Sequence, residues 1–191
     1  PGKGWEYIVY NKLDQPVLTQ DSALDTQGKW LFTKYDRFGR VAYTGITNNT
    51  SSRSAFQTTL VATSSTYVTH SSSSLSLGGA TVYYNNGAYP TSIAEIHTIN
   101  YYDDYTFDKD GLSLPSSYEG QTIINYNNTN KILTNSLATG TKVRVLDTSP
   151  VKWITSITGY DAKGQAIYIA NKNQYFNSTD IIKSKLDFVG V

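Results

Sequence analysis

The segment YDRFGRVAYTG, residues 35–45, decides the fold that this sequence predicts. Tyr35 ends the strand-like run WLFTKY, and the short side chain of Asp36 is of the kind that hydrogen-bonds the backbone two residues on and starts a turn. Gly39 reaches positive φ without a steric penalty, and after Arg40 the chain becomes apolar again. A type I turn followed by a left-handed residue is a common hairpin connection with a bulge. The segment therefore predicts a strand, a tight turn and a returning strand.

The same pattern recurs elsewhere in the chain. YDAKGQAIYIA at 160–170 follows it closely, YNKLDQPVLTQ at 10–20 follows it more loosely, and YNNTNKILT at 126–134 is a weak copy with Asn130 at the left-handed position. A repeated short pattern indicates a repeated structural unit rather than a single catalytic site. We predict turns near 11–14, 36–39 and 161–164. The residues of this structural turn motif are Tyr10, Asn11, Asp14, Tyr35, Asp36, Gly39, Arg40, Tyr160, Asp161 and Gly164.

Tryptophan adds a second regularity to the pattern. Trp5 and Trp30 precede their motif tyrosines by five residues, and Trp153 precedes Tyr160 by seven. In an extended strand an odd separation places the two rings on opposite faces. We therefore expect structural aromatic residues on both faces, in a sheet packed on both sides or with an aromatic outer face.

The composition restricts the chemistry that the chain can perform. Its 191 residues carry a net charge of +1, too little to attract nucleic acid or an anionic membrane through a broad field. Only 16% of the residues are charged, against about a quarter in ordinary soluble domains, and the 16 tyrosines favour half-buried strands. The absence of cysteine excludes disulfides, zinc–thiolate sites and thiol nucleophiles. Because the chain has no methionine and no signal-peptide pattern, we expect a processed product or an internal piece.

The middle of the chain is less regular than its ends. The run SSSS at 71–74 predicts a loop, Asn86-Gly87 predicts a hairpin turn near 85–87, and Ser92 with Glu95 has capping-box spacing for one helical turn. Strand-like segments follow at 95–108, on both sides of Pro150, and at 179–191, and no stretch shows the period of a long amphipathic helix. We predict an all-β fold of antiparallel hairpins.

The motif W-x₄-Y-[DN]-x₂-G-R followed by an apolar run resembles the YD repeat of Rhs-type proteins. The segments KWLFTKYDRFGRVAYTG, INYYDDYTFD, LATGTKVRVLD and SKLDFVGV are similar to parts of the large secreted and cell-surface Rhs-family proteins of Bacteroidota. The copies depart from the family pattern in Asn11, which replaces Asp, in Asp14, which replaces Gly, and in Gln165, which replaces Arg.

The resemblance implies that residues 1–191 are one segment of a larger spiral β-shell. Its repeat units lie near 5–21, 30–45 and 151–170, with an irregular insertion near 46–95. In many members of the family the shell encloses a separate C-terminal toxin. The partners so implied are the remainder of the same polypeptide, an enclosed toxin or effector and a secretion machinery. The expected location is extracellular or on the bacterial cell surface.

Few residues suggest catalysis or metal binding. A triad requires a nucleophile and an orienting acid held beside the histidine. His70 lies in a serine-rich run, where a neighbouring serine indicates nothing, and His97 alternates with isoleucines on a predicted strand, which favours a side chain at the sheet surface. The cluster Asp104, Asp108 and Asp110, before Gly111, resembles part of a calcium loop but lacks its later glutamate. The alternatives are a solvated turn, which we favour, and a glycosidase pair of Asp104 and Asp108.

We therefore expect a structural, non-catalytic wall segment that requires no cofactor. The alternative is a free-standing extracellular β-domain that binds carbohydrate or another surface ligand through exposed tyrosines, because flat rings stack on sugars. The recurrence of tyrosine at a fixed place in a turn favours the structural role.

Overall fold

The computed structural model describes residues 4–124 and 134–186. The chain divides into two compact units, with the boundary in sequence between Ile99 and Asn100. Strands account for most of the regular structure of both units, and all the paired strands within each unit are antiparallel across the described residues. The predicted all-β antiparallel fold is confirmed. No helix in the part of the chain that the structure describes is long and apolar enough to cross a membrane.

The first unit contains a meander of hairpins with two helices inserted. Its elements are β1 (Glu6–Tyr10), β2 (Pro16–Asp21), α1 (Ser22–Thr26), β3 (Lys29–Tyr35), β4 (Val41–Asn48), α2 (Arg53–Ala62), β5 (His70–Leu77), β6 (Ala80–Tyr84) and the first part of β7 (Glu95–Tyr102). Strands β1, β2, β3, β4 and β7 are hydrogen-bonded in that order, and β5 and β6 form a separate hairpin.

The core of the first unit follows from the alternation of side chains along β3. Trp30, Phe32 and Lys34 are buried, while Leu31 between them is exposed. Helix α2 covers this face, because the ring of Phe56 packs edge-on against Trp30 with 5.0 Å between the centroids. Full burial of an apolar side chain of this size contributes about 1.5–3 kcal/mol.

Helix α2 was not predicted. Ser52 begins it as N-cap, with its side chain accepting a hydrogen bond from the backbone of Ala55, and Phe56 and Leu60 form its buried stripe. The cap and the spacing of four between the apolar residues were visible in the sequence. Threonines between them, which lower helix propensity, weakened the signal.

The predictions for the middle of the first unit were wrong in three places. The serine run 71–74 is not a loop, because it lies within β5. The tight turn of this hairpin is at Gly78 and Gly79, which have φ of +54° and +78°. The predicted turn near 85–87 makes no hairpin, since β6 ends at Tyr84, and the side chain of Asn86 instead accepts hydrogen bonds from Lys34 and Tyr43. The segment from Ser92 to Glu95 has no helical turn.

The second unit is a second hairpin meander. It contains β8 (Ser117–Tyr118), β9 (Gln121–Thr122), β10 (Ala138–Val145), β11 (Lys152–Tyr160), β12 (Ala166–Asn173) and β13 (Ser178–Lys183). Strands β10 to β13 are hydrogen-bonded in chain order, and β8 pairs with β9. The strands predicted on both sides of Pro150 are β10 and β11, and the described part of the predicted final strand is β13.

Gly140 leaves room for a pair of stacked aromatic rings in the second unit. The rings of Tyr101 and Phe107 stack in parallel, with centroids 4.3 Å apart. A Cβ atom at Gly140 in β10 would lie 2.3 Å from Cζ of Phe107, closer than any side chain tolerates. Glycine at this position therefore lets the stacked pair lie directly on the strand.

Candidate functional site

The turn at Asp36 is held by its own carboxylate. Oδ1 accepts hydrogen bonds from the backbone N–H of Phe38 at 2.8 Å and of Arg40 at 3.0 Å. Oδ2 accepts from Nε of Arg40 and is also 2.7 Å from Nη2 of the same guanidinium. Gly39 has φ of +80°, in the region that glycine reaches most easily. A buried aspartate thus caps the turn through hydrogen bonds to residues within four positions of it.

The turn at Asp161 has the same hydrogen bonds. Its Oδ1 accepts from the backbone N–H of Lys163 at 2.9 Å and of Gln165 at 2.8 Å. The backbone carbonyl of Asp161 accepts from Gly164 at 3.0 Å, and Gly164 has φ of +78°. Gln165 takes the place that Arg40 has in the copy at Tyr35, and the backbone geometry of the turn is unchanged.

The first copy shows that the departures from the motif are compensated locally. Asn11 accepts from the backbone N–H of Leu13 at 2.9 Å and of Gln15 at 3.1 Å, as the aspartates do. Its amide also donates to the side-chain oxygen of Gln15 at 2.9 Å, so an amide pair replaces the ion pair of the second copy. Asp14 takes the glycine position with φ of +56°. In all three copies the strand register shifts at the motif tyrosine, which is the predicted bulge.

Two of the motif tyrosines, Tyr35 and Tyr160, connect their hairpins to the strand before them. The hydroxyl of Tyr35 donates to the carbonyl oxygen of Pro16, the first residue of β2, at 2.8 Å. The hydroxyl of Tyr160 donates to the carbonyl oxygen of Ala138, the first residue of β10, at 2.6 Å. Burial raises the pKa of both phenols, so they remain donors at neutral pH. The same contact occurs once in each unit.

Tyr10 has a different environment. It is exposed on β1, and its backbone is held by Gln57 of α2, whose amide donates to the carbonyl of Tyr10 at 2.8 Å and accepts from its N–H at 3.2 Å. Of the weak copy at 126–134, all but Thr134 lies outside the described residues. In the turn that leads into β10, the residue with positive φ is Ser136, at +69°, two positions before the strand, as Asp14 is before β2.

The three tryptophans do not share one environment. Trp30 and Trp153 are buried, whereas Trp5 is 42% exposed and lies just before β1. The tyrosines also differ in solvent exposure. Tyr35 and Tyr160 are half-buried, whereas the exposed tyrosines among the described residues are Tyr7, Tyr10, Tyr67 and Tyr175.

The acidic residues of the calcium hypothesis are engaged by a lysine. Nζ of the buried Lys142 donates to Oδ2 of Asp108 at 2.8 Å and to Oδ1 of Asp110 at 3.1 Å. Thr155 donates to the other carboxylate oxygen of Asp110, and Asp104 accepts from the backbone N–H of Thr106 at 2.7 Å. Across residues 4–124 and 134–186, no three His, Cys, Asp or Glu side chains form a metal-binding group.

The electrostatics of this pair follow from its partial burial. Burial raises the pKa of Asp108, but hydrogen bonds from Lys142 and from the backbone of Asp110, with the charge of Lys142, outweigh it and hold that pKa below the ordinary value. The ammonium of Lys142 thus binds two of the three carboxylates that the sequence suggested for calcium, those of Asp108 and Asp110. The arrangement stabilises charge within the fold.

Both histidines belong to the first unit and have contacts there. His70 packs edge-on against Tyr84 with 5.5 Å between the ring centroids. Nε2 of His97 lies 3.8 Å from a carboxylate oxygen of Glu95 on the same strand. Sequence reasoning placed His97 on a strand surface, and it lies half-buried on β7.

The structure reveals one unusual group that the sequence did not indicate. Lys34 is 1% exposed, and its Nζ donates to the carbonyl of Ala88 at 2.8 Å and to the side-chain oxygen of Asn86. The rings of Phe32 and Tyr43 lie 5.9 Å and 5.3 Å from this nitrogen. Burial lowers the pKa of Lys34 from 10.5 to about 7. The pattern WLFTKY placed this lysine on the face of Trp30, but no local signal shows that the face is closed over it.

Comparison of the chain with family models, with curated proteins and with solved structures finds no match in any of the three.

Proposed function

We propose that this chain is a non-catalytic wall segment of a larger, exported Rhs-type β-shell. The observation that carries the proposal is the repeated hairpin contact. A self-capped turn, a bulge and a tyrosine hydroxyl bonded to the first residue of the preceding strand occur together at Tyr35 and again at Tyr160.

The contact suits an array because it is directional. Tyr35 and Tyr160 each bond the strand before their own hairpin, so in an array of such hairpins each one would be positioned by its predecessor and would offer a carbonyl to its successor. Repeat proteins are stabilised in this way, by the sum of local units and nearest-neighbour interfaces. An isolated binding domain has no need to repeat one internal contact in two separate units.

The outer strands support the same proposal. In β13 the side chains of Ile181 and Ile182 are about half exposed. Exposed apolar strands at a sheet edge are an aggregation hazard that proteins cover or blunt. In a shell, further hairpins of the same polypeptide cover such an edge, and an enclosed toxin or effector and a secretion machinery are the other proposed partners. The location we propose is the bacterial cell surface or the exterior.

The proposal includes the absence of enzymatic activity. It is supported by the engagement of Asp108 and Asp110 with a buried lysine. Ester, glycan and peptide hydrolysis should stay at background in the wild-type chain. Turnover that disappears in His70→Ala or Asp104→Ala would contradict this part of the proposal.

The test of the scaffold role is the behaviour of the 191-residue chain on its own. Light scattering after size exclusion should show self-association that rises with concentration, because the sheet edges pair with one another. Replacing Ile181 and Ile182 by lysine should reduce it, and the matched replacement of the exposed Val61 on α2 should not. A chain that is monomeric, soluble and cooperatively folded, with capped edges, would favour the binding-domain alternative instead.

A further inference from the structure

An open cleft lies beside β1 in the first unit. Trp5, Tyr7, Gln20, Asp25 and the segment 50–54 line it, and its volume is about 510 Å³. Small-molecule sites have volumes of about 300–1,000 Å³. The lining segment 50–54 includes the N-cap of α2 and its first residues.

Two aromatic rings form one side of the cleft. The centroids of Trp5 and Tyr7 are 4.3 Å apart, with 37° between the ring planes. They are 42% and 44% exposed, whereas Trp30, which also precedes its motif tyrosine by five residues, is 0% exposed. The position that the copy at Tyr35 uses for the core is therefore open to solvent in the copy at Tyr10. Adjacent exposed aromatic rings mark surfaces that bind ligands.

The other residues that line the cleft are polar, and three of them make hydrogen bonds within the unit. Nε of Arg53 donates to the carbonyl of Ile8 at 3.1 Å, and the hydroxyl of Ser52 caps α2. Gln20 is buried, and its amide donates to the carbonyl of Lys29 at 3.0 Å. The remaining lining groups are the carboxylate of Asp25 and the hydroxyls of Thr50, Ser51 and Ser54.

We propose that this cleft binds a neutral oligosaccharide. A sugar ring presents an apolar C–H face to the rings of Trp5 and Tyr7 and hydroxyl groups around its edge. Those hydroxyls both donate and accept, which matches an acceptor in Asp25, a donor in Arg53 and serine hydroxyls that do both. An apolar peptide would bury these polar groups without partners, and an anionic ligand would meet the charge of Asp25. The inference goes beyond the scaffold role and does not depend on it.

The test is calorimetric titration of the 191-residue chain, at low micromolar concentration, with cellotetraose, chitotetraose, maltotetraose and mannotetraose. At least one of these should bind, and Trp5→Ala should weaken its binding by about tenfold or more. Trp5 lies on the surface, so the circular dichroism of the variant should match that of the wild type. Asp25→Asn should weaken binding while leaving the shape of the cleft unchanged.

The matched control is the exposed ring pair at the β12–β13 turn. Tyr175 and Phe176 lie 5.0 Å apart and are 58% and 74% exposed, but they do not line the cleft. Replacing both by alanine should leave the affinity unchanged. Binding that is equal in wild type and Trp5→Ala, or no binding of any of the four tetraoses, would overturn the proposal. So would a Trp5→Ala variant that loses only self-association, because the cleft would then be a contact between chains.

Discussion

The buried Lys34 should make the stability of the first unit depend on pH. Its pKa is about 7 in the folded protein, below the 10.5 of an exposed lysine. Between these values the unfolded chain binds one proton more than the native state, so the free energy of unfolding rises with pH. Below pH 7 both states are protonated, and the full penalty for burying the ammonium is present. Burial also raises the pKa of Tyr43, so that neighbouring phenol does not titrate in this window.

The magnitude follows from the two pKa values. Their difference, at 1.36 kcal/mol for each pKa unit, is on the order of 5 kcal/mol over the whole window from pH 7 to 10.5. Between pH 6 and pH 9 the part attributable to Lys34 is about 2–3 kcal/mol. Lys34→Met should remove this dependence. The change in stability at a single pH is less informative, because methionine leaves the carbonyl of Ala88 without its donor and Asn86 with the hydroxyl of Tyr43 as donor, at about 1–3 kcal/mol.

The assay is urea unfolding at pH 6 and pH 9, followed by tryptophan fluorescence in a Trp153→Phe background. The signal then comes from Trp5 and the buried Trp30, both in the first unit. Other groups titrate in the same range, so the quantity to compare is the difference between wild type and Lys34→Met. Lys12→Met, at a surface lysine, is the control and should keep the wild-type dependence. Equal pH dependence in wild type and Lys34→Met would refute the reasoning.

Three further predictions concern the turns and the second lysine. Gly164→Ala should lower the free energy of unfolding by about 1–2 kcal/mol in urea titrations, because alanine is strained at φ of +78°; an unchanged midpoint would contradict the geometry of the turn. Tyr35→Phe and Tyr160→Phe should each lose about 0.5–1.5 kcal/mol, the net value of one hydrogen bond, with little change in circular dichroism; stability equal to wild type would show that the contact is dispensable. Lys142→Met should lose about 3–5 kcal/mol by thermal or urea unfolding, because it leaves the carboxylates of Asp108 and Asp110 without their cation; rescue of this variant by calcium would revive the metal hypothesis.

The part of the fold that sequence predicts well is the part whose chemistry is local. Asp36, Asp161 and Asn11 bond the backbone two and four residues on, so each turn is specified within five residues. The same chemistry predicts the strands on either side, because the tyrosine ends one strand and an apolar run begins the next.

The failures arise where distant residues decide the structure. Asn86 has the sequence of a hairpin turn, yet its side chain accepts from Lys34 and Tyr43 and donates to the carbonyl of Thr91. Lys142 donates hydrogen bonds to Asp108 and Asp110, which precede it by more than thirty residues. A short window of sequence does not show this contact. The candidate cleft combines Trp5 with the segment 50–54 through the placement of α2, the element that the sequence pattern did not predict.

The scaffold proposal is tested most directly by electron cryomicroscopy of the full-length polypeptide that carries this chain. We predict that the outer edge of β1 or of β13 is hydrogen-bonded to a further hairpin, and that this hairpin has its own tyrosine and Asx-capped turn. The tyrosine hydroxyl should bond the first residue of the preceding strand, as Tyr35 bonds Pro16 and Tyr160 bonds Ala138. A map in which both edges are open to solvent and the chain forms a separate closed domain would contradict the account.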